Sequence, residues 1–183
     1  MLVNLRVLLR RLLDIVLLRA GPESLPASSG LLAVIVAVNV AVSAIVTALM
    51  SAAPHNWQWQ LVVGTVVTLL WFQVAFALVN KPERFVQTTS AFFGAYTLFV
   101  PALLPLFVML LPFIEKQDPA NPPPAMPTLL AAALGIWLLI VQVRIVRAAF
   151  EWPYFASIIF IFGLNIASAL VYGMLFGVPP GTA

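Results

Sequence analysis

Residues 31–50 pass without one charged side chain, and comparable apolar runs recur over 60–79, 85–112, 128–145 and 152–176. A bilayer crossing takes about 20 apolar residues. Inside hydrocarbon every backbone N–H and C=O must find its partner within the segment, which leaves the helix as the form such a run takes. The chain therefore reads as an all-α polytopic membrane helix bundle of five transmembrane helices. With 63% hydrophobic and 8% charged residues among 183, almost nothing remains for a soluble domain. Nine basic and six acidic residues cannot build a nucleic-acid surface, and the lack of cysteine removes disulfides, thiolate metal sites and a cysteine nucleophile.

The third run is the most distinctive. It opens at Asn80-Lys81-Pro82-Glu83, which has the order of a helix start: Asn at the cap, Pro in the first turn, Glu at the positive end of the helix dipole. At 100° per residue, Gln87, Ser90, Gly94, Thr97, Pro101, Pro105 and Pro112 fall within a sector of roughly 80°. A proline inside a helix frees the carbonyl four residues earlier, so Thr97 and Pro101 each lose a partner for their C=O. Such carbonyls are costly in hydrocarbon. The expectation is a kinked helix whose Pro/Gly face turns into the bundle, as a static kink or as a hinge beside a polar cavity.

Before the first run stands MLVNLRVLLRRLLDIVLLRA, where Arg6, Arg10, Arg11 and Asp14 break any signal-like core. On a helix, Leu2, Leu5, Leu9, Leu12, Leu13 and Val16 share one side, with Asn4, Arg10, Arg11 and Asp14 opposite. The pattern fits an amphipathic interfacial helix over 1–20 with Arg6, Arg10, Arg11 and Arg19 on anionic headgroups. It fits equally a helix packed on the end of the bundle. Residues 21–30, GPESLPASSG, form a turn-rich linker in which Ser28 or Ser29 can cap the next helix.

The remaining runs carry their polar residues at helical spacing. Asn39, Ser43 and Thr47 recur at i, i+4, i+8 in the first; Gly64, Thr68, Trp71 and Ala75 share a side of the second, with Gln73 elsewhere. Asn165, Ser168 and Tyr172 share a side of the fifth, which also holds Gly163/Ala167 and Gly173/Gly177 at the spacing of close helix contacts. The Asn39 stripe and the Asn165/Ser168 face are the expected neighbours of the third helix. Arg144 near the end of the fourth run has Glu151 as its expected partner. His55, the single histidine, reads as a loop residue, and 115–127 as a stiff proline-rich external loop. Five crossings place Arg6, Arg10, Arg11, Arg19, Lys81, Arg84, Arg144 and Arg147 on one side and only Lys116 on the other. Basic residues gather on the cytoplasmic side. The expected location is a bacterial inner membrane, N-terminus cytoplasmic and C-terminus periplasmic.

No Asp, Glu, Lys or His falls at the middle of a run, where proton-coupled transporters and pumps place ionisable groups. No serine has a base beside it and no H-E-x-x-H helix occurs, so no catalytic, metal or cofactor site is expected. The run RFVQTTSAFFGAYTLFVPALLP, residues 84–105, together with five spans after a cytoplasmic N-terminal segment, resembles the Yip/Yif type of membrane protein, in particular its short bacterial members. The likeness extends over spans two to five. Eukaryotic members are associated with Rab GTPases through a longer N-terminal region bearing tyrosine and Gly-Pro; here that region has no tyrosine, so Rab binding does not carry over. The bacterial members offer no general biochemical role to transfer. Two functions are expected: an accessory or scaffold subunit joining a membrane-protein partner or a second copy through helix contacts, or a transporter of a small solute or lipid built on the kinked third helix. A polar cavity reaching the midplane would mark the second; a closed core with an apolar outer groove would mark the first.

Overall fold

The computed structural model describes residues 5–49, 56–116 and 122–177. His55 and most of the proline-rich loop lie outside the described residues. Six helices follow in order: α1 (Leu5–Val16), α2 (Ser29–Ala48), α3 (Trp57–Leu78), α4 (Phe85–Lys116), α5 (Ala125–Phe150) and α6 (Tyr154–Phe176). No strand occurs among the described residues, and α2 to α6 are each long and apolar enough to cross a membrane. At 1.5 Å per residue the 32-residue α4 measures about 48 Å, well beyond a hydrocarbon core of roughly 30 Å.

Local chemistry sets the ends. Ser28 caps α2, its Oγ accepting from the Leu31 N–H at 3.3 Å. Asn80 does not cap α4. It takes the left-handed conformation, φ 53°, and closes α3: the Asn80 N–H donates to the Ala77 carbonyl and the Lys81 N–H to the Phe76 carbonyl, the paired bonds of a Schellman ending. A 3-10 turn, Pro82–Arg84, then leads into α4. The fourth expected span, 128–145, falls short of α5 by five residues at its end, because Arg144 and Arg147 are exposed and do not interrupt the helix. α5 stops at Glu151, left-handed at φ 60°.

Each span touches the next around a closed circuit, α2 to α3 to α6 to α5 to α4 and back to α2, with α3 also reaching α4 across it. On one flank of α4, Leu8, Leu12 and Ile15 of α1 join Leu31, Ile35, Phe93, Phe99, Val141 and Ile145 in one buried cluster. The other cluster centres on rings: Phe72, fully buried, packs on Phe92 at 5.1 Å and Phe160 at 5.3 Å, and Phe76 stacks on Phe150 at 4.2 Å.

The connections 17–28, 79–84 and 151–153 meet at one end of the bundle. The Arg11 guanidinium donates to the Ser24 carbonyl at 2.7 Å, and the Gln87 amide to the Leu25 carbonyl at 2.8 Å. Glu151 is bridged by Lys81 at 2.7 Å and Arg84 at 2.8 Å, not by Arg144. Arg144 sits two turns back along α5, while Glu151 lies past the last turn, beside the α3–α4 connection. The bonds from Lys81 and then Arg84, with their positive charges, hold the exposed Glu151 carboxyl below the usual carboxylate range.

Candidate ligand cavity

The circuit encloses a cavity of about 550 Å³, lined from all five spans. Asn39, Ser43 and Thr47 come from α2, Gly64, Thr65 and Thr68 from α3, Tyr96, Val100 and Phe107 from α4, Leu138 and Gln142 from α5, and Asn165, Ser168 and Tyr172 from α6. Asn39 stands ten residues into α2 and Asn165 eleven into α6. At 1.5 Å per residue the cavity reaches about 15 Å below the charged end, close to the middle of both helices, and extends to the far end. Phe92 belongs both to its lining and to the aromatic cluster. The rings therefore form its floor and the charged end is closed.

Its polar groups fall into two kinds. Some are satisfied by protein: the Thr65 and Thr68 hydroxyls donate to the Leu61 and Gly64 carbonyls of their own helix, both at 2.8 Å, and the Asn165 amide to the Ile161 carbonyl at 2.8 Å. Two join helices. The Asn39 amide donates to Thr97 Oγ1 at 3.0 Å, and the Tyr172 hydroxyl to the Gln60 carbonyl at 3.1 Å, lying so close to Gly64 that a Cβ there would displace it. Ser43, Thr47, Gln142 and Ser168 have no protein partner among the described residues and keep their hydrogen-bonding capacity for whatever fills the space. No charged side chain appears in the lining. Pockets of roughly 300–1,000 Å³ with apolar walls and a few placed polar groups are the usual form of small-molecule sites.

The residues singled out in the sequence are thus divided. Asn39, Ser43, Thr47, Asn165 and Ser168 line the cavity, and Thr97 reaches its edge through Asn39. The rest of the α4 face points away: Tyr96, in the lining, lies about 200° round the helix from Gly94. The first part of that face is covered by the N-terminal segment. Gln87 binds Leu25, Ser90 is fully buried with an unpartnered hydroxyl, and a Cβ on Gly94 would meet Leu12 Cδ2 at 2.5 Å. Beyond the reach of α1, Pro101, Pro105 and Pro112 are exposed on the outside of the bundle, contrary to the expectation that they face protein. Gln73 is also exposed, and so are Arg6, Arg10, Arg11 and Arg19. Gly163 admits Trp71, 3.0 Å from where its Cβ would stand, whereas Gly173 has no neighbour and its spacing to Gly177 marks no contact. The residues overlooked are Thr65, Thr68, Tyr96, Gln142 and Tyr172. For the α3 pair the signal was present, since Gly64, Thr65 and Thr68 share a helix side just as Asn39, Ser43 and Thr47 do.

Comparison with family models, with curated proteins and with solved structures gave no match.

Proposed function

We propose that the chain is a non-enzymatic membrane carrier that binds an uncharged or amphipathic small molecule, a solute or a lipid, inside the five-helix circuit. The observation that carries this is a midplane-reaching cavity in which Ser43, Thr47, Gln142 and Ser168 keep free hydrogen-bonding groups. An ion would need charge or a dense ring of carbonyls to replace its water, and the lining has no charge. A molecule with hydroxyl or amide groups and an apolar body matches both parts of the wall. The moving element in this proposal is not a proline hinge turned inward, because Pro101 and Pro105 face outward. Opening toward the charged end requires the ring stack of Phe72, Phe92 and Phe160 to part.

The test is mass-spectrometric identification of what the protein carries after purification in mild detergent, repeated with Ser168→Trp, which fills the cavity. A neutral small molecule held by the wild type and lost from the variant is expected. An empty wild-type cavity with a stoichiometric protein partner would overturn the carrier reading in favour of an accessory subunit. The exposed amide of Gln73 on α3 favours that second reading, with a membrane-protein partner or a second copy against that side.

The carrier is proposed to sit in a bacterial inner membrane with its charged end in the cytoplasm and its C-terminus outside. The support is the eight basic residues on one side against Lys116 on the other. α1 is proposed to lie in the interface: Leu8, Leu12 and Ile15 face the bundle, Leu5, Leu9, Leu13 and Leu17 are exposed on an adjoining arc, and Arg6 and Arg10 are exposed beyond it. That three-sided order suits protein, lipid tails and anionic headgroups in turn. Kinship with the Yip/Yif proteins is proposed on residues 84–105 and the five-span order.

A further inference from the structure

We infer that the outer surface of α5 at the charged end binds the phosphodiester of an anionic phospholipid between Arg144 and Arg147. Trp137, Ile140, Arg144 and Arg147 are all exposed and fall within about 80° of one another on the helix. They make one outward stripe, apolar below and basic above. Arg144 stands six residues before the last residue of α5, Phe150. At 1.5 Å per residue that is about 9 Å inside the end of a membrane-spanning helix. It has no ion-pair or hydrogen-bond partner among the described residues, while the nearest acid of that end, Glu151, is occupied on both oxygens by Lys81 and Arg84. One turn nearer the end, the Arg147 guanidinium lies 4.3 Å from the centre of the Tyr154 ring, which fixes it over the helix terminus.

An arginine at that depth must reach out to the interface or draw an anion to itself. Two forked donors one turn apart match the geometry of a phosphate better than that of a single water shell. The tails have a place as well. Below Arg144 the exposed Ile140 and Trp137 continue the stripe, and the Trp137 indole donates to the Val16 carbonyl at 3.0 Å, which sets the end of α1 beside it. The exposed Leu17 of that end adds to the apolar flank. The site therefore pairs a basic head position with an apolar wall directly beneath it. It lies outside the bundle, apart from the cavity.

The experiment is native mass spectrometry of the full chain in a neutral detergent, titrated with phosphatidylglycerol or with phosphatidylcholine. The wild type should retain phosphatidylglycerol in preference, and Arg144→Gln with Arg147→Gln should weaken that retention about tenfold or more without changing the melting temperature, since neither side chain has an acidic partner to lose. Arg144→Lys with Arg147→Lys, which keeps the charge, should restore most of it. Undiminished retention in the glutamine variant, equal retention of phosphatidylcholine by the wild type, or displacement of the lipid by millimolar inorganic phosphate would each overturn the inference.

Discussion

The two ends of this bundle are built from the same five helices and are packed quite differently. At the charged end α3 buries Phe72 and Phe76, α5 buries six side chains from Val141 to Phe150, and α6 buries Ser157, Phe160, Ile161 and Leu164. Toward the far end the same three helices bury nothing over 57–71, 125–140 and 165–176. Hydrophobicity does not explain the contrast, because both halves are apolar and lipid is as good a solvent for Leu as another helix is. Shape and satisfaction do. Aromatic rings interlock across the charged end, whereas at the far end Thr65, Thr68 and Asn165 spend their hydrogen bonds on their own helices and link nothing. Polar residues in a membrane helix hold a bundle together only when they bond across it.

The widest gap between the halves should appear on truncation. Phe72→Ala removes a fully buried ring from among three others and should cost about 3–5 kcal/mol, read as a large fall in unfolding midpoint in detergent. Asn39→Ala breaks the one side-chain bond between α2 and α4 printed by this geometry, to Thr97, and should cost about 0.6–2 kcal/mol by the same assay. A loss as large as that of Phe72 would mean that polar bonds, not rings, organise the fold. Glu151→Gln should lower stability less, and chiefly at neutral pH. The fold favours the ionised carboxyl, so its contribution is full above the ordinary carboxylate pKa of about 4.3 and fades as pH falls through the depressed folded value. Denaturation followed against pH should show wild type and variant converging in acid. Smallest of all, Ser168→Ala in the cavity wall should change stability by less than about 0.5 kcal/mol.

The five spans were legible because an apolar run of bilayer length has few other folds open to it. Legible too were the stripes Asn39/Ser43/Thr47 and Asn165/Ser168, since helical spacing puts such residues on one face wherever the helix ends up. The rotation of α4 was not. Prolines and small residues can mark a side turned to protein or a side that lipid tolerates, and spacing alone does not separate these. Here α1 covers that side as far as Gly94, and the prolines beyond it lie open. The cavity side of α4 carries Tyr96, Val100 and Phe107, which in an apolar run look like any other lipid-facing residues. Asn80 misled for a similar reason: the residue that caps a helix start also accepts the left-handed turn that ends one.

The contrast between a closed half and an open half is tested most directly on α6, which spans both. The chain has no cysteine, so Ser157→Cys and Ser168→Cys each introduce a sole thiol, eleven residues apart on one helix. Ser157 is fully buried and Ser168 lines the cavity. A charged, membrane-impermeant maleimide applied to intact vesicles should label the Ser168→Cys protein from the far side and leave the Ser157→Cys protein unmodified. Protection of both positions, or equal labelling of both, would contradict it.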